Sequence, residues 1–385
     1  MIFLGILFLA LIVFIIVGKI NKQQKVLMAE HWTQTEKGKF YFFKEIDSIQ
    51  LENFTGEDMN VTAGTKVNGY TALTKTDMAL DSAWVNKQIA IIDYLSGINA
   101  AENWSRAVAL VMQSQNTGVS QSGSYTLSDI GPYVGMDAET LAARREVLAA
   151  LNDGAARTIT LQDIALVTNG TIFTSVNNRR KALNENLLPY LSSDLLSGIT
   201  RLTNSTSRAV TVISNDHIFV VAVLDDDVVF GKEERMSELK TTYIEETGIS
   251  EQDYYAMLVS RVDLLENYPT VSITVSDETA DCYLVDTKID GSKKLAVMVI
   301  KDSVSGFLEM DTAKGKVTTN DIYGYVVPKS AIHNTEGVDL ITIMERTYFP
   351  EYYEVNVTTY DGNEAILSVY DNPDLSNGES YKVHP

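Results

Sequence analysis

The sequence is poor in cysteine, proline and basic residues. Its 385 residues include one cysteine, Cys282, so no disulfide can form within the chain, and cysteine usage does not reveal the compartment. Seven prolines beside 19 tyrosines favour a β-rich fold over a disordered stalk. With 31 basic against 51 acidic residues, the net charge of −20 argues against nucleic acid as a partner, because phosphate binding needs a basic surface.

Sequence patterns of catalytic and metal sites are also missing. The chain contains no G-x-S-x-G, H-E-x-x-H or P-loop motif. Residues 225–227 are three adjacent aspartates, which predict a solvated turn, because a calcium loop needs alternating oxygen ligands. Cys282 has no basic neighbour and is predicted to be a buried, inert thiol. No catalytic, cofactor or metal residue is predicted. The histidines are far apart and are predicted to lie on the surface or at strand edges: His31, His217, His333 and His384.

One long apolar run is present, at the N-terminus. Residues 2–17 carry no charge, and the first charged side chain is Lys19. The run is slightly shorter than the roughly 20 residues that cross a bilayer, and the lysines after it can extend its reach. It predicts a transmembrane anchor at residues 1–22, with a cleaved signal peptide or a buried helix as alternatives. The positive-inside rule would place the bulk of the chain in the cytoplasm, but it is weak for so short an N-terminus.

The spacing of apolar residues predicts a mostly β chain with two helical regions. Residues 77–154, called the helical segment below, have apolar residues at helical spacing, and Asp137 is placed to cap a helix. A second helical region is predicted at residues 233–267. Strands are predicted at 38–48 and within 57–75, and after the helical segment at 157–176, 208–224, 268–275, 281–288, 294–301, 321–327, 338–344, 350–360 and 364–370.

The order of these elements is nested. Residues 61–74 precede the helical segment and residues 157–183 follow it, and both stretches are strand-like with glycines where a small sandwich must turn tightly. We interpret them as two halves of one β domain, which the chain leaves to form the helices and then rejoins.

Several phrases resemble HlyD-like membrane fusion proteins, also called periplasmic adaptor subunits. AGTKVNGYTAL at 63–73 is similar to the first half of their lipoyl-like, barrel-sandwich domain, and residues 208–224 resemble their barrel strands. YVVPKSAI at 325–332 resembles the family's strand that ends in a V-P-K-S-A turn, and NPDLSNGESYKVHP at 372–385 resembles its closing turn. The resemblance implies an N-terminal transmembrane helix, a split lipoyl-like domain with an inserted helical hairpin, and β-barrel domains.

The resemblance also implies a division into domains. It places the transmembrane anchor at 1–22, the split lipoyl-like domain at 38–76 and 155–183, the helical insertion at 77–154, a β-barrel domain at 184–320 with a helical insert at 233–267, and a C-terminal membrane-proximal β domain at 321–385. The helices are too short for the family's long hairpins, which indicates the short form expected in a single-membrane bacterium. Lys66 does not lie at the kind of hairpin tip that lipoylation needs, so no cofactor is predicted.

The implied function is that of a membrane-anchored, non-enzymatic adaptor outside the cytoplasm. It would assemble with an inner-membrane transporter, for example of the ABC type, in efflux or secretion, contact the bilayer through residues 1–22, and be able to form a homo-oligomer. The alternative is an extracytoplasmic structural or envelope-assembly protein without a transporter. Candidate docking residues are Trp84, Trp104, Arg144 and Arg145, because aromatic and arginine side chains dominate interface energetics. The alternative for the tryptophans is that both fill the helical core, and for the arginines that they are surface charges.

Overall fold

The computed structural model describes residues 24–117, 125–152, 154–160, 169–345 and 349–383. This part of the chain forms two compact units. The larger is Glu36–Val317, and the smaller joins the residues before position 36 to those from Thr318 onward. Within the described ranges, no helix is both long enough and apolar enough to cross a membrane. The anchor predicted at residues 1–22 lies outside them.

The described part of the chain contains more strands than α-helices. The described strands are β1 (Gln24–Val26), β2 (Ala29–Phe43), β3 (Ile46–Ile49), β4 (Lys66–Asn68), β5 (Asn169–Asn177), β6 (Thr206–Ile213), β7 (Ile218–Asp225), β8 (Thr270–Val275), β9 (Glu278–Asp290), β10 (Lys293–Ile300), β11 (Thr312–Pro328), β12 (Ile332–Thr335), β13 (Val338–Glu345), β14 (Phe349–Glu354), β15 (Thr359–Asp361), β16 (Glu364–Ser368) and β17 (Ser380–Lys382). The described α-helices are α1 (Ser82–Gly97), α2 (Trp104–Thr117), α3 (Leu127–Ile130), α4 (Ala138–Leu151), α5 (Asn178–Ala182), α6 (Ser193–Arg201), α7 (Glu233–Thr247) and α8 (Glu251–Ser260).

Six strands of the larger unit close into a barrel. The antiparallel pairs run from β2 to β7, β10, β9, β8 and β11. The ring closes where β11 lies beside β2, and there the Phe42 amide donates to the Asp311 carbonyl oxygen at 3.1 Å. Strands β7 and β10 are apolar along most of their length and buried on both faces, as a continuous apolar run predicts. The mostly β fold with helices and a barrel sheet is thus confirmed.

A second sheet of the larger unit joins residues from both sides of the helical segment. Its strand order is β3-β6-β5-β4, and β4 pairs with residues 169–171 of β5. Further bridges place Ala72 opposite Thr160 and Met78 opposite Arg157. Gly170 allows β6 to lie close to β5, because a Cβ atom at this position would lie 2.4 Å from the Ile213 carbonyl oxygen. The chain therefore leaves this sheet, forms the helices and returns to it, while the domain boundaries given above stay a prediction.

Caps and apolar faces define the helical segment. Asp81 accepts a hydrogen bond from the Trp84 amide at 2.8 Å and so begins α1, and Asp137 does the same for α4 through the Thr140 amide at 2.7 Å. Helices α1 and α4 pack against each other, burying Ile91, Leu95, Leu141 and Leu148.

The helices between β5 and β6 were not predicted. Helix α5, a 3-10 turn at Glu185–Tyr190 and helix α6 occupy a stretch that the sequence analysis assigned to β domains. They are short, with five and nine residues in α5 and α6, so they offer little periodicity. The capping residues are the sequence feature that could have predicted these helices. The side-chain oxygens of Asn177 and Ser192 accept hydrogen bonds from backbone amides at the starts of α5 and α6.

We expect Ser192→Ala to lower the free energy of unfolding by about 1 kcal/mol, because the Leu195 amide at the start of α6 loses its acceptor. The measurement is urea denaturation of the full-length protein in detergent. Ser192→Thr keeps a capping hydroxyl and is the matched control. If the alanine and threonine variants were equally stable, the side-chain cap would contribute nothing to this helix.

The smaller unit is built on two groups of strands. Strands β1, β17, β13 and β12 are neighbours in that order, with β14 also on β13, while β11 pairs with β16 and β16 with β15. Strand β11 ends at Pro328 and a 3-10 turn follows at Lys329–Ala331, where the Lys329 amide donates to the Asn363 carbonyl oxygen at 2.9 Å. The core of this unit contains Leu27, Tyr325, Val327, Ile341, Leu367 and Tyr381.

Candidate functional site

The four predicted docking residues lie in different environments. Trp84 and Trp104 are each 8% exposed, and the Trp104 indole donates to the Met136 carbonyl oxygen at 3.2 Å. Both thus fit the alternative in which tryptophans fill the helical core. Arg145 is about half exposed and its Nε lies 2.6 Å from Asp93 Oδ1, which joins α4 to α1. Arg144 is mostly buried and faces Asp47. Docking through these residues stays a prediction.

Arg144 lines a polar cleft between the helices and β3. The cleft has a volume of about 400 Å³, and its lining includes Asp47, Trp84, Lys87, Tyr133, Arg144 and Lys181. Strand β3 supplies Asp47, the first two turns of α1 supply Trp84 and Lys87, α4 supplies Arg144, and α5 supplies Lys181. Elements from both sides of the helical segment thus meet here.

In this cleft the negative charge of the Asp47 carboxyl group is only partly compensated. Burial raises the pKa of its carboxyl group to about 6, and the nearby Arg144 guanidinium only partly opposes that effect. Oδ1 accepts a hydrogen bond from the Ser48 amide at 2.7 Å. Oδ2 lies 3.9 Å from Arg144 Nη2 and accepts no hydrogen bond from the described residues. A buried carboxylate oxygen without a donor is costly unless a ligand or water supplies one.

The neighbouring groups in the cleft satisfy one another. Lys87 Nζ lies 2.6 Å from Asp129 Oδ1, and the Tyr133 hydroxyl donates to Gln88 Oε1 at 2.8 Å. Lys181 differs from them, because burial, followed by the charge of Lys87, lowers the pKa of its ammonium group. The cleft thus contains hydrogen-bonded pairs, together with the Asp47 carboxyl group and the Lys181 ammonium group, whose pKa values are both shifted by burial.

A second polar cluster surrounds His217, directly before β7. His217 Nε2 lies 3.1 Å from Glu185 Oε2, and both residues are buried. Burial lowers the pKa of His217, but the hydrogen bond and the charge of Glu185 outweigh this, so the pKa is raised overall. Burial and then the charge of Glu185 raise the pKa of Glu45 to about 7. The sequence placed His217 at a strand edge but gave no sign of Glu185, which is 32 residues away.

Lys44 and Arg180 fix residues 308–311, called the 308–311 segment below. Lys44 is fully buried and its Nζ donates to the carbonyl oxygens of Leu308, at 2.7 Å, and of Met310. Burial lowers the pKa of Lys44 to about 7. Arg180 Nε lies 2.7 Å from Asp311 Oδ1. These contacts join the end of the barrel strand β2 and helix α5 to the same short segment.

The described residues offer little for metal or thiol chemistry. None of their histidine, cysteine, aspartate and glutamate side chains form a group of three or more that could hold a metal ion. Cys282 is buried and burial raises the pKa of its thiol, which disfavours the reactive thiolate. Asp225 lies at the end of β7 and pairs with Lys293 at 2.7 Å. His384 lies outside the described residues.

Comparisons with known proteins give structural likenesses only. No protein-family model matches the chain, and no curated protein does. The membrane fusion protein Spr0693 from Streptococcus pneumoniae R6 is 15% identical, with 73% of this chain and 98% of that chain covered and a TM-score of 0.25. MacA from Actinobacillus actinomycetemcomitans is 9% identical, covering 94% and 99%, with a TM-score of 0.31. ZneB from Cupriavidus metallidurans is 12% identical, covering 94% and 92%, with a TM-score of 0.25.

TM-scores of this size do not by themselves establish a shared fold. The architecture therefore rests on the pairings described above, and the role of the chain is a proposal.

Proposed function

We propose that this protein is a membrane-anchored adaptor that works outside the cytoplasm and assembles with a membrane transporter in efflux or secretion. It acts by assembly and not by bond chemistry. The anchor is the apolar run at residues 1–22, and the helical segment is the part that contacts the partner. In the expected complex, several copies of this adaptor assemble with a transporter of the ABC type.

The nested pairing of strands carries this proposal. Ala72 pairs with Thr160 and Met78 with Arg157, so a β domain is completed only after the chain has formed the helices. A closed barrel and a further β unit take most of their strands from the chain after this sheet, and take β2 and β1, respectively, from the chain before it. This is the order of elements implied by the resemblance to membrane fusion proteins. Of residues 208–224, which resemble the family's barrel strands, only the part on β7 lies in the barrel, and the part on β6 belongs to the four-stranded sheet. Fold alone does not define function, so the partner must be tested directly.

The test is affinity purification of the full-length protein in mild detergent, followed by mass spectrometry. We expect a transporter subunit in near-stoichiometric amount. Recovery of cell-wall or division proteins alone would support the envelope-assembly alternative and overturn the adaptor function. Recovery of no partner would also overturn it.

Point variants in the helical segment test whether this segment contacts the transporter, while the fold is kept. Leu110 in α2 and Val147 in α4 are 37% and 46% exposed, unlike the two buried tryptophans. We expect Leu110→Glu combined with Val147→Glu to reduce the recovered transporter by roughly tenfold, as loss of an interface anchor does. Val229→Glu changes an exposed apolar residue outside the helical segment, 65% exposed, and is the control. Equal losses in both proteins would place the contact elsewhere.

A further inference from the structure

A partly apolar groove of about 840 Å³ lies where the helical segment meets α8. Trp104 at the start of α2 and Met136 before α4 line it, and the Trp104 indole fixes this wall by donating to the Met136 carbonyl oxygen. Tyr190 of the 3-10 turn and Val259 of α8 also line it. The helical segment, the 3-10 turn and α8 thus each contribute apolar or aromatic surface to the same groove.

A second cavity, of about 500 Å³, adjoins this groove and reaches the polar cluster around His217. Three carboxyl groups line it, those of Glu45, Glu185 and Asp216. Glu185 is buried and already paired with His217, whereas Glu45 is half-buried and Asp216 is exposed. These last two can therefore be reached from outside. We call the two cavities together the acidic groove, because four residues line both of them: Met136, Asn186, Val259 and Ser260.

The side chains that line the acidic groove leave a surplus of negative charge. The first cavity adds the carboxylates of Glu102 and Asp253 to those of the second. Within the described chain, no lysine or arginine lines either cavity. Glu102 and Asp216 are exposed, and neither carboxylate forms a hydrogen bond or an ion pair with the described residues. The described acidic side chains also do not form a group that could hold a metal ion. The charge therefore favours a larger cation, such as an ammonium or guanidinium group.

We propose that the acidic groove docks a basic and apolar segment of a partner protein. Lysine or arginine side chains of this segment meet the carboxylates, and its apolar side chains pack beside Trp104, Met136 and Tyr190. A second copy of this chain is a poor occupant, because its net charge of −20 repels an acidic surface. The groove lies partly on the helical segment, so the proposal names the kind of partner surface expected there and rests on the proposed function.

A synthetic peptide of this chemistry tests the groove directly. The probe is fluorescein-labelled Lys-Val-Lys-Val-Lys-Val, and its fluorescence anisotropy is measured with the full-length protein in detergent. Lys-Ser-Lys-Ser-Lys-Ser lacks the apolar side chains, and Ser-Val-Ser-Val-Ser-Val lacks the charges. We expect saturable binding of the probe and at least about tenfold weaker binding of each of the other peptides. If the probe did not saturate, or if all three peptides bound equally, the proposal would be wrong.

Charge reversal separates the groove from the negative charge of the whole protein. Glu102→Lys combined with Asp216→Lys changes one exposed carboxylate in each cavity and is expected to weaken probe binding at least about tenfold. Glu234→Lys combined with Glu238→Lys changes the net charge equally, at exposed positions of α7 outside the groove, and should leave binding nearly unchanged. Equal affinities of the two double variants for the probe would overturn the proposal.

The same variants distinguish this proposal from the adaptor function. Where the unaltered protein recovers a transporter, the variant with Glu102→Lys and Asp216→Lys should recover roughly tenfold less of it. An unchanged amount would overturn docking in the acidic groove and leave the adaptor function standing. If the probe binds in the groove but no transporter is recovered with the unaltered protein, the adaptor function fails, and the groove stands as a site for a basic segment.

Discussion

Asp311→Ala is expected to lower the free energy of unfolding by about 3–5 kcal/mol. Asp311 Oδ1 lies 2.7 Å from Arg180 Nε, and Oδ2 accepts from Asn177 Nδ2 at 2.8 Å. The Arg180 and Asp311 side chains are only 14% and 15% exposed. Removing the carboxylate leaves a largely buried guanidinium without its counter-charge, and this is the costly way to break an ion pair. Urea denaturation of the full-length protein in detergent measures the change.

Asp225→Ala is the matched control for this prediction. Asp225 also forms an aspartate ion pair, with Lys293 at 2.7 Å, but both side chains are well exposed. Water and salt screen such a pair, so this variant should unfold at nearly the same urea concentration as the unaltered protein. An Asp311→Ala protein as stable as the Asp225→Ala protein would show that the 308–311 segment is held in some other way.

Glu45→Gln is expected to stabilise the protein above neutral pH and to have little effect in acid. Burial, and then the Glu185 carboxylate, raise the pKa of Glu45 from 4.5 to about 7. The Ser214 hydroxyl and the charge of His217 act in the opposite direction, and Asp216 adds to the rise. Folding therefore favours the protonated carboxyl group. The stability that this group contributes is present below about pH 4.5 and is lost as the pH rises to 7.

The size of this effect follows from the shift in pKa. One unit corresponds to about 1.4 kcal/mol, and the partial exposure of Glu45 reduces the effect, so we expect about 1–2 kcal/mol at pH 8. A neutral glutamine avoids this loss. His217, whose pKa is also raised, loses stability in the same direction as the pH rises.

Denaturation midpoints of both proteins between pH 4 and pH 8 measure the difference. Lys44 has a lowered pKa and so contributes more stability as the pH rises above about 7. That contribution is the same in both proteins and cancels when they are compared at one pH. Glu52→Gln, which changes an exposed glutamate nearby, is the control and should follow the unaltered protein. Parallel curves for all three proteins would show that folding does not raise the pKa of Glu45.

The sequence predicted those features that depend on neighbouring residues. The cap at Asp137, the apolar spacing of α1 and α4, and the uninterrupted apolar strands β7 and β10 are all local patterns. The first predicted strand, at 38–48, is in the structure two strands, β2 and β3, which are separated by residues 44 and 45. At this break Lys44 places its ammonium group against the 308–311 segment, a contact between residues more than 260 positions apart.

The candidate site was less accessible to sequence reasoning for the same reason. An aromatic residue on a helical face can fill a core or form an interface, and only packing distinguishes the two for Trp84 and Trp104. Asp47 and Lys181 are 134 positions apart in the chain and share a cleft only because the chain returns to its first sheet after forming the helices. No spacing rule in one sequence connects them.

The bridge between Met78 and Arg157 bears on how the length of this chain can change. The two residues exchange backbone hydrogen bonds in both directions, at 2.9 and 3.0 Å, so the ends of the inserted helices are held side by side. The entropy cost of closing a connection grows slowly, by about 0.6 kcal/mol for each doubling of its length. Insertions or deletions of whole helical turns between these residues would therefore alter the reach of the protein while leaving its strand pairing intact.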